Sequence, residues 1–254
     1  MEFNIVKTNI VNVLAEAIAL PANTHLREGS GTSRSIFEAA GRKELTKACA
    51  EIGHCDMGMA VPTPAYRLNA DYIIHAVVPR WVDGEHNEYE LLTSAYLAAL
   101  NIADVMECES IAFPLLASGN NGFDKKLAFQ IARESFESFT GNHLKEITLV
   151  IYGDTMETLV KSWGYSATII RDTQLEERKA KREERQEQLA AAGKIVIGKA
   201  FEKAAIWLGD EENQEKLKMA AIMVLKTAIT KISAKKKQVE ENKTKAISSK
   251  QEKG

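Results

Sequence analysis

The hydrophobic and polar positions in the first two thirds of the chain alternate between two patterns. Short apolar runs closed by turn residues are typical of buried strands, and the 3.6-residue apolar repeats between them are typical of helices. These patterns predict strands over 1–11, 16–23, 59–68, 71–78, 110–118, 146–152 and 165–170, and helices over 33–51, 87–106, 124–139 and 154–163. This alternation predicts an α/β fold with a central, largely parallel sheet covered on both faces. Because Pro62 and Pro64 cannot donate ladder hydrogen bonds, we expect 59–68 to be an edge strand or a loop.

The pattern changes after Arg171. Residues 172–193 are almost all charged helix formers, and a second stretch, 213–233, carries apolar residues at helical spacing. From Lys235 onward the chain is polar and rich in lysine, which predicts disorder. We therefore predict a folded domain over 1–171, a charged and amphipathic helical extension over 172–234, and a Lys-rich tail over 235–254. The apolar part of the extension, 193–233, is expected to bind a protein partner or a second copy of the chain.

Charge and composition narrow the classes of function. Residues 171–254 carry 20 Lys and Arg against 14 Asp and Glu, whereas residues 1–170 carry 13 against 21. An acidic body that binds an anion must use backbone amides and helix dipoles, and its charge argues against nucleic-acid binding by the domain itself. The absence of a long apolar run or a secretory pattern, together with only three cysteines, predicts a cytoplasmic protein without a membrane span.

Cofactor and metal sites are not expected. Cys49, His54 and Cys55 lie close together in sequence, but their spacing matches no standard zinc site and a fourth ligand is missing. His75 lies in an apolar strand and is interpreted as a core histidine whose hydrogen bonds are satisfied. No GxxxxGK[ST] sequence is present, which excludes a P-loop as a motif match.

Two glycine-rich loops each follow a predicted strand and lead into a predicted helix. The first is GSGTSRSIFEAAG at 29–41, and the second is SGNNGF at 118–123. A glycine loop that runs into a helix directs unpaired N–H groups and the positive end of the helix dipole at one place, which favours an anion. Open α/β sheets bind ligands at the carboxyl ends of their strands, so two such loops suit a diphosphate.

Four blocks of the sequence together resemble a macro domain, the ADP-ribose-binding module. They are ALPANTHL (19–26), GSGTSRSIFEAAG (29–41), GMAVPTPAYRLNADYIIHAVVP (58–79) and AFPLLASGNNGFDKKLA (112–128), in matching order and spacing over about residues 1–170. The resemblance implies a three-layer α/β/α fold with a central mixed sheet, here followed by the C-terminal helical extension. It also implies a cleft in which the two glycine loops wrap the pyrophosphate of ADP-ribose.

The resemblance also implies roles for individual residues. Glu16 would accept from the adenine amino group, Asn23 would face the distal ribose, and Tyr152 would stack on adenine. Each has a structural alternative: a strand-edge charge for Glu16, an Asx-turn for Asn23 and a core residue with a solvated hydroxyl for Tyr152. The remaining ligand-binding candidates are Gly29, Gly31, Thr32, Ser118, Gly119, Asn120, Asn121, Gly122 and Phe123.

The catalytic machinery of the hydrolytic macro domains is only partly matched. The loop-one Asp that orients a water in those members falls on Ser33 here, and Asn121 stands where they often have an aromatic residue against the distal ribose. A serine can hold a water but cannot act as a carboxylate base. Asp124 is another candidate acid, although an N-cap role is favoured. The catalytic candidates are therefore Asn23, Ser33 and Asp124.

The sequence is compatible with three functions. The first is a domain that binds ADP-ribose or ADP-ribosylated protein and hydrolyses the linkage, by de-ADP-ribosylation or by deacetylation of O-acetyl-ADP-ribose. The second is a non-catalytic reader of ADP-ribose whose C-terminal helices bind a partner. The third is a binder of another nucleotide diphosphate or of RNA.

Overall fold

The computed structural model describes residues 3–168 and residue 180. Apart from that single residue, the predicted extension over 172–234 and the tail over 235–254 lie outside the described residues. None of the helices in the described part of the chain has the length and apolar character that a membrane crossing requires.

Six strands form one sheet. They are β1 (Phe3–Lys7), β2 (Ala17–Ala22), β3 (Ala60–Pro64), β4 (Tyr72–Val77), β5 (Ser110–Pro114) and β6 (Glu146–Ile151). Their order across the sheet is β1-β6-β5-β2-β4-β3. All neighbouring pairs are parallel except β3 with β4. The predicted mixed, largely parallel sheet is confirmed, and the proline-containing strand lies at its edge.

The strand predicted at 165–170 is not formed within residues 165–168. Thr168 makes one isolated parallel bridge to Val6 beside β1, with hydrogen bonds from Lys7 N to Thr168 O and from Thr168 N to Ile5 O, both 2.9 Å. This single bridge does not extend into a ladder over the residues that precede it, and residues 169–170 lie outside the described part.

Five α-helices connect the strands in the described part of the chain. They are α1 (Thr32–Ala40), α2 (Arg42–Ile52), α3 (Glu88–Val105), α4 (Lys125–Ser138) and α5 (Asp154–Ser162). The helical segment predicted over 33–51 is two helices, divided at Gly41. This glycine has a φ of +105°, a conformation that L side chains rarely adopt, so the chain turns between α1 and α2.

Helices cover both faces of the sheet, which makes the three-layer α/β/α arrangement. On one face, Cys49 of α2 lies with its Sγ 3.9 Å from Nε2 of His75 in β4. On the other, the ring of Tyr96 in α3 lies 5.4 Å from that of Phe113 in β5. The strand register places His75 and Phe113 on opposite faces, because side chains alternate along a strand.

His75 differs from its predicted role in one respect. Its Nε2 lies 2.9 Å from Oγ1 of Thr63, but its fully buried Nδ1 has no hydrogen-bond partner among the described residues. Burial lowers the pKa of His75 to about 3, so the ring is neutral. Only one of the two ring nitrogens of this core histidine therefore has a hydrogen-bond partner among the described residues.

Candidate functional site

The candidate site lies along one edge of the sheet. The five parallel strands all end at this edge, where open α/β sheets bind their ligands. In spatial order, the segments that follow these strands are Thr8–Asn9 after β1, Tyr152 after β6, 115–124 after β5, 23–31 after β2 and 78–87 after β4. Both predicted glycine loops are therefore at the same edge, on neighbouring strands.

Loop one, residues 23–31, is closed by two internal side chains. Asn23 Oδ1 accepts hydrogen bonds from the backbone N–H groups of His25 (3.1 Å) and Arg27 (3.2 Å), and its Nδ2 donates to Arg27 O (2.7 Å). These bonds match the Asx-turn alternative. Both polar groups of the Asn23 side chain thus hold the turn that opens loop one.

Ser33 closes the far end of the same loop. Its Oγ accepts a hydrogen bond from Gly29 N at 3.0 Å, and the residue is only 4% exposed. Gly31, with a φ of +56°, precedes α1, and no side chain in the described part of the chain caps the first turn of this helix. The first turn of α1 therefore has no side-chain cap among the described residues, while the Ser33 side chain supports the loop that precedes it.

Loop two, residues 117–123, is a tight turn whose first residue, Ala117, has a strained backbone conformation. Ser118 Oγ donates to Leu115 O at 2.8 Å, and Gly122 N donates to Gly119 O at 3.0 Å. Ala117 has a φ of +60° and Gly122 one of +82°. A left-handed alanine is unfavourable and persists only where its surroundings enforce it, which is common at functional sites. Apart from Gly119 itself and its two chain neighbours, no atom of the described residues lies within 4 Å of a Cβ built on Gly119, so this glycine borders open space.

The two loops touch. The side-chain amide of Asn120 donates a hydrogen bond to the hydroxyl of Ser30, and both residues are exposed. Loop one and loop two therefore meet at the carboxyl edge of the sheet, and we refer to the space between them as the cleft.

Asn121 and Phe123 contact the segment that follows β4 and support loop two from that side. Asn121 Nδ2 donates to Pro79 O at 2.8 Å, and Asn121 O accepts from Trp81 N at 2.8 Å. Phe123 is 3% exposed, and its ring lies 5.1 Å from that of Trp81. These contacts fix loop two to the segment that follows β4.

The role predicted for Glu16 is wrong. Glu16 precedes β2, so it lies at the amino edge of the sheet, about 20 Å from the carboxyl edge for a strand of this length. There its Oε2 accepts a hydrogen bond from Glu109 N at 2.7 Å. The strand-edge alternative describes it better than contact with adenine.

Asn9 is a residue at the site that sequence reasoning missed. It follows β1, and the bond from Thr8 N to Ile151 O (3.1 Å) brings it beside the end of β6, where Tyr152 begins the next segment. Its Oδ1 accepts from Val11 N at 3.3 Å. The signal in the sequence was the polar pair Thr8–Asn9, which marks the end of the first strand. The prediction of one strand over 1–11 placed this pair inside the strand and so overlooked it.

Tyr152 is the most exposed large hydrophobic residue at this edge. It is 76% exposed and follows β6 directly, beside the strand that leads into loop two. An exposed aromatic ring at the end of a cleft can stack on a flat base. The core alternative for Tyr152 is therefore not what the structure contains.

Asp124 is the N-cap of α4. Its Oδ1 accepts hydrogen bonds from Lys126 N (2.9 Å) and Leu127 N (3.0 Å). The favoured N-cap interpretation is confirmed, and the carboxylate already has two backbone partners.

The residues weighed for zinc do not share a site. Cys49 and Cys55 are buried, whereas His54 is only half-buried and its Nε2 lies 2.9 Å from Oδ1 of Asp56. Within the described residues, a single group has ligand atoms close enough for an ion: Asp83, His86 and Glu88. Glu88 already accepts four backbone hydrogen bonds, which leaves its carboxylate poorly suited to a metal.

Comparisons with known proteins agree with this geometry. The Macro domain family model matches residues 20–132. A macro domain-containing protein of Listeria monocytogenes is 42% identical over 162 residues, which cover 61% of this chain and 92% of that protein. An O-acetyl-ADP-ribose deacetylase of Escherichia fergusonii is 37% identical over 157 residues, covering 59% and 88%. The solved Oceanobacillus iheyensis macrodomain with ADP bound has a TM-score of 0.58 and 28% identity, covering 62% of this chain and 87% of that one. The chain therefore belongs to the macro domain family.

Proposed function

We propose that the cleft binds ADP-ribose, either free or attached to another molecule. The observation that carries this proposal is the contact between the two glycine loops, made by Asn120 and Ser30 across the carboxyl edge of the sheet. The glycines and small side chains in both loops suit a diphosphate, because they let backbone N–H donors approach it at short range.

The start of α1 supports the placement of the diphosphate. Gly31 precedes the helix, and no side chain of the described residues satisfies its first N–H groups. A phosphate there would accept those hydrogen bonds and interact favourably with the helix dipole. On the opposite wall, Gly119 borders open space, so its backbone can approach the ligand closely.

The order of the strands suggests where each end of ADP-ribose would lie. Tyr152 and Asn9 lie on the β6–β1 side of the loops, where an aromatic ring and a side-chain amide can recognise adenine. The other ribose would then extend toward the ends of β2 and β4, past Asn23. This direction is supported by the spatial order of the strands.

Binding without efficient hydrolysis is the function that the geometry favours. Ser33 and Asp124 already make hydrogen bonds to backbone N–H groups, and Asn23 holds its own turn. Because these side chains are already engaged in hydrogen bonds within the protein, none of them is arranged as a general base for a bound water molecule. A general base contributes about 10²–10⁴-fold to a rate, so its loss would leave slow turnover at most.

Hydrolysis of an ADP-ribosyl linkage is the second candidate. It is favoured by the 37% identity to the Escherichia fergusonii protein named O-acetyl-ADP-ribose deacetylase. Ser33 stands where the loop-one Asp is expected and Glu28 is paired with Arg42, so a phosphate oxygen of the substrate would have to accept the proton from the attacking water.

Two measurements test these proposals. In amide-resolved NMR spectra, ADP-ribose should shift the signals of residues 29–32 and 119–122, and unchanged signals there would remove the cleft as the site. Incubation with O-acetyl-ADP-ribose, followed by chromatography, should show little product beside the Escherichia fergusonii enzyme assayed in parallel. Comparable turnover would establish the hydrolase instead.

We also propose that the folded macro domain ends near residue 171 and that 193–233 binds a partner or a second copy of the chain. The apolar helical spacing of Leu217, Ala221 and Val224 supports this role. Light scattering of the full chain should report a dimer if the segment associates with itself. A monomer at all concentrations would leave a different protein as the partner.

A further inference from the structure

The lysines and arginines of the described residues fall into two groups. One group forms ion pairs with carboxylates: Lys7, Arg42, Lys47, Arg67, Arg133, Lys145 and Lys161. The other is exposed and forms no ion pair with any residue of the described part of the chain: Arg27, Arg34, Lys43, Arg80, Lys125 and Lys126. All of the second group except Lys43 lie in or directly beside the segments that follow β2, β4 and β5. We call these five residues the basic rim.

Hydrogen bonds connect the segments that carry the basic rim. Loop one and loop two are joined by a side-chain hydrogen bond. Loop two is joined in turn to the segment of Arg80, because Asn121 Nδ2 donates to Pro79 O and Asn121 O accepts from Trp81 N, each at 2.8 Å. Arg80 therefore lies between two residues that are bonded to loop two. These contacts, and not only the order of the strands, bring the cations to one region.

Three residues of the basic rim occupy positions that a helix disfavours for cations. Arg34 lies in the first turn of α1, and Lys125 and Lys126 lie in the first turn of α4, where the positive end of the helix dipole repels a positive charge. Neither of these turns contains an acid, whereas the first turns of α2, α3 and α5 each contain at least one. Residues that oppose a local preference are expected where function requires them.

Several acids that lie near the basic rim in the sequence are engaged elsewhere. Glu28 and Glu38 pair with Arg42, and Asp124 accepts from two N–H groups of α4. Glu88 is 2% exposed and accepts four backbone hydrogen bonds from the segment after β4. Burial alone would raise the pKa of Glu88, but these hydrogen bonds outweigh it and hold the pKa at about 2. These carboxylates are therefore bonded in place and do not pair with the rim.

We propose that the basic rim binds an acidic stretch of the polypeptide that carries the ADP-ribosyl group. The inference rests on the proposed ADP-ribose site, because a polypeptide attached to a ligand in the cleft has to leave past the segments that carry the rim. Asp and Glu side chains of that polypeptide would supply the charge-assisted partners that the rim lacks within the domain. The rim would thus select among ADP-ribosylated proteins by the sequence around the modified residue.

An acidic peptide suits this surface better than a nucleic acid. Single-stranded nucleic acids stack their bases on exposed aromatic side chains, and no exposed Phe, Tyr or Trp lies in 23–34, 78–87 or 115–126. Trp81 is only partly exposed and packs against Phe123. Residues 1–170 carry 21 Asp and Glu against 13 Lys and Arg, so a long polyanion that extended beyond the rim would be repelled.

The test uses the full chain and synthetic peptides that carry ADP-ribose through one and the same non-hydrolysable linkage. In the acidic peptide, Asp and Glu flank the modified residue, and in the neutral peptide Asn and Gln replace them. Calorimetry at low ionic strength should show about tenfold tighter binding of the acidic peptide, because each exposed ion pair contributes up to about fivefold and several can form. The difference should shrink toward equality in about 0.5 M NaCl, because salt screens exposed charges.

Variants that remove charge from the basic rim should reduce this preference. Arg34→Gln and the double variant Lys125→Gln/Lys126→Gln should each lower the ratio of the two affinities about twofold to fivefold, with unchanged affinity for free ADP-ribose. Their melting temperatures should equal or exceed that of the parent, since a cation leaves a first helical turn. Lys43→Gln is the matched control and should leave the ratio intact, because Lys43 is also an exposed cation without an ion pair in the described part of the chain but lies on α2.

Equal affinities for the acidic and neutral peptides at low ionic strength would overturn the inference and leave the proposed function standing. An equal loss of affinity for free ADP-ribose and for both peptides in the rim variants would also overturn it, since the cations would then act on the diphosphate. If an oligonucleotide without ADP-ribose bound the rim more tightly than the unmodified acidic peptide, the surface would be a nucleic-acid site and the peptide assignment would be wrong. Failure to bind free ADP-ribose would instead overturn the proposed function.

Discussion

The side-chain amide of Asn120 donates a hydrogen bond to the hydroxyl of Ser30, so the two glycine loops meet above the carboxyl edge of the sheet. Both residues are exposed, and neither is required by the core. The bond therefore links the two loops that border the cleft, and we call it the latch. A ligand that lies between the loops would be retained while the latch is closed.

Removal of either partner of this latch should speed ligand release. Ser30→Ala and Asn120→Ala should each raise the dissociation rate of ADP-ribose about twofold to tenfold, since an intramolecular hydrogen bond contributes roughly 0.5–1.5 kcal/mol. The double variant should release ADP-ribose no faster than the faster single variant. Stopped-flow displacement measures these rates, and additive effects in the cycle would show that the two side chains act independently.

A substitution at Gly119 should weaken ligand binding without lowering the stability of the fold. A side chain at this position would point into open space, and the φ of Gly119 is not in the left-handed region. Gly119→Val should therefore leave the melting temperature within a few degrees of the parent while it weakens ADP-ribose binding at least tenfold. Gly122→Val is the contrasting variant, because its φ of +82° predicts loss of stability as well. Unchanged affinity in Gly119→Val would remove loop two from the site.

Tyr152 is expected to act through its ring. Tyr152→Ala should weaken the binding of both ADP-ribose and AMP, because both carry adenine, by about fivefold to tenfold for the loss of one aromatic stacking contact. Tyr152→Phe keeps the ring and should bind as the parent does. If Tyr152→Phe lost as much affinity as Tyr152→Ala, the hydroxyl rather than the ring would be the contact.

Six strands, most helices and both glycine loops could be predicted from the sequence because each depends on local patterns, whereas the strand at 165–170 and a single helix over 33–51 were wrong. Apolar runs marked the strands, and the prolines at 62 and 64 restricted 59–68 to an edge strand or a loop, of which the structure contains the edge strand. The directions of side chains could not be predicted in this way. Whether Ser33 faces a ligand or its own loop depends on where Gly29 N lies, which no spacing reveals.

Glu16 and Asn9 illustrate the same limit. Both flank strands, and only the sheet order and strand direction determine which one reaches the ligand edge. Once β1 is seen to end at Lys7, Asn9 lies at the carboxyl edge, whereas Glu16 starts β2 at the amino edge. The hydrogen bond from Trp81 N to Asn121 O was equally hidden, since these residues are about forty positions apart.

Glu88 should make the fold sensitive to acid. Its pKa of about 2 lies below the usual value of 4.5, so the stability it contributes is present above pH 4.5 and is lost as the pH falls toward 2. Glu88→Gln should lower the melting temperature at neutral pH and reduce its fall between pH 4.5 and 2. Thermal unfolding across this range measures both effects. Glu90→Gln, at an exposed carboxylate of the same helix, is the control, and identical acid profiles for Glu88→Gln and the parent would contradict the role of the buried carboxylate.

Asn23→Ala should impair binding and any turnover together, because the side chain holds the turn that opens loop one. Asn23→Asp keeps the acceptor for the N–H groups of His25 and Arg27 but loses the donor to Arg27 O, so its loss of affinity should be smaller. Affinity measurements on both variants, with turnover of O-acetyl-ADP-ribose alongside, test this. A loss confined to turnover would instead indicate that Asn23 acts on the reacting group.

The central claim, that the cleft is built for ADP-ribose, is tested most directly by calorimetry of the full chain with ADP-ribose and, separately, with AMP. AMP carries the base but only one phosphate and one ribose. The account predicts one site per chain, micromolar affinity for ADP-ribose and affinity at least tenfold weaker for AMP. Equal affinity for the two ligands, or no heat with ADP-ribose, would contradict a diphosphate site between loops one and two.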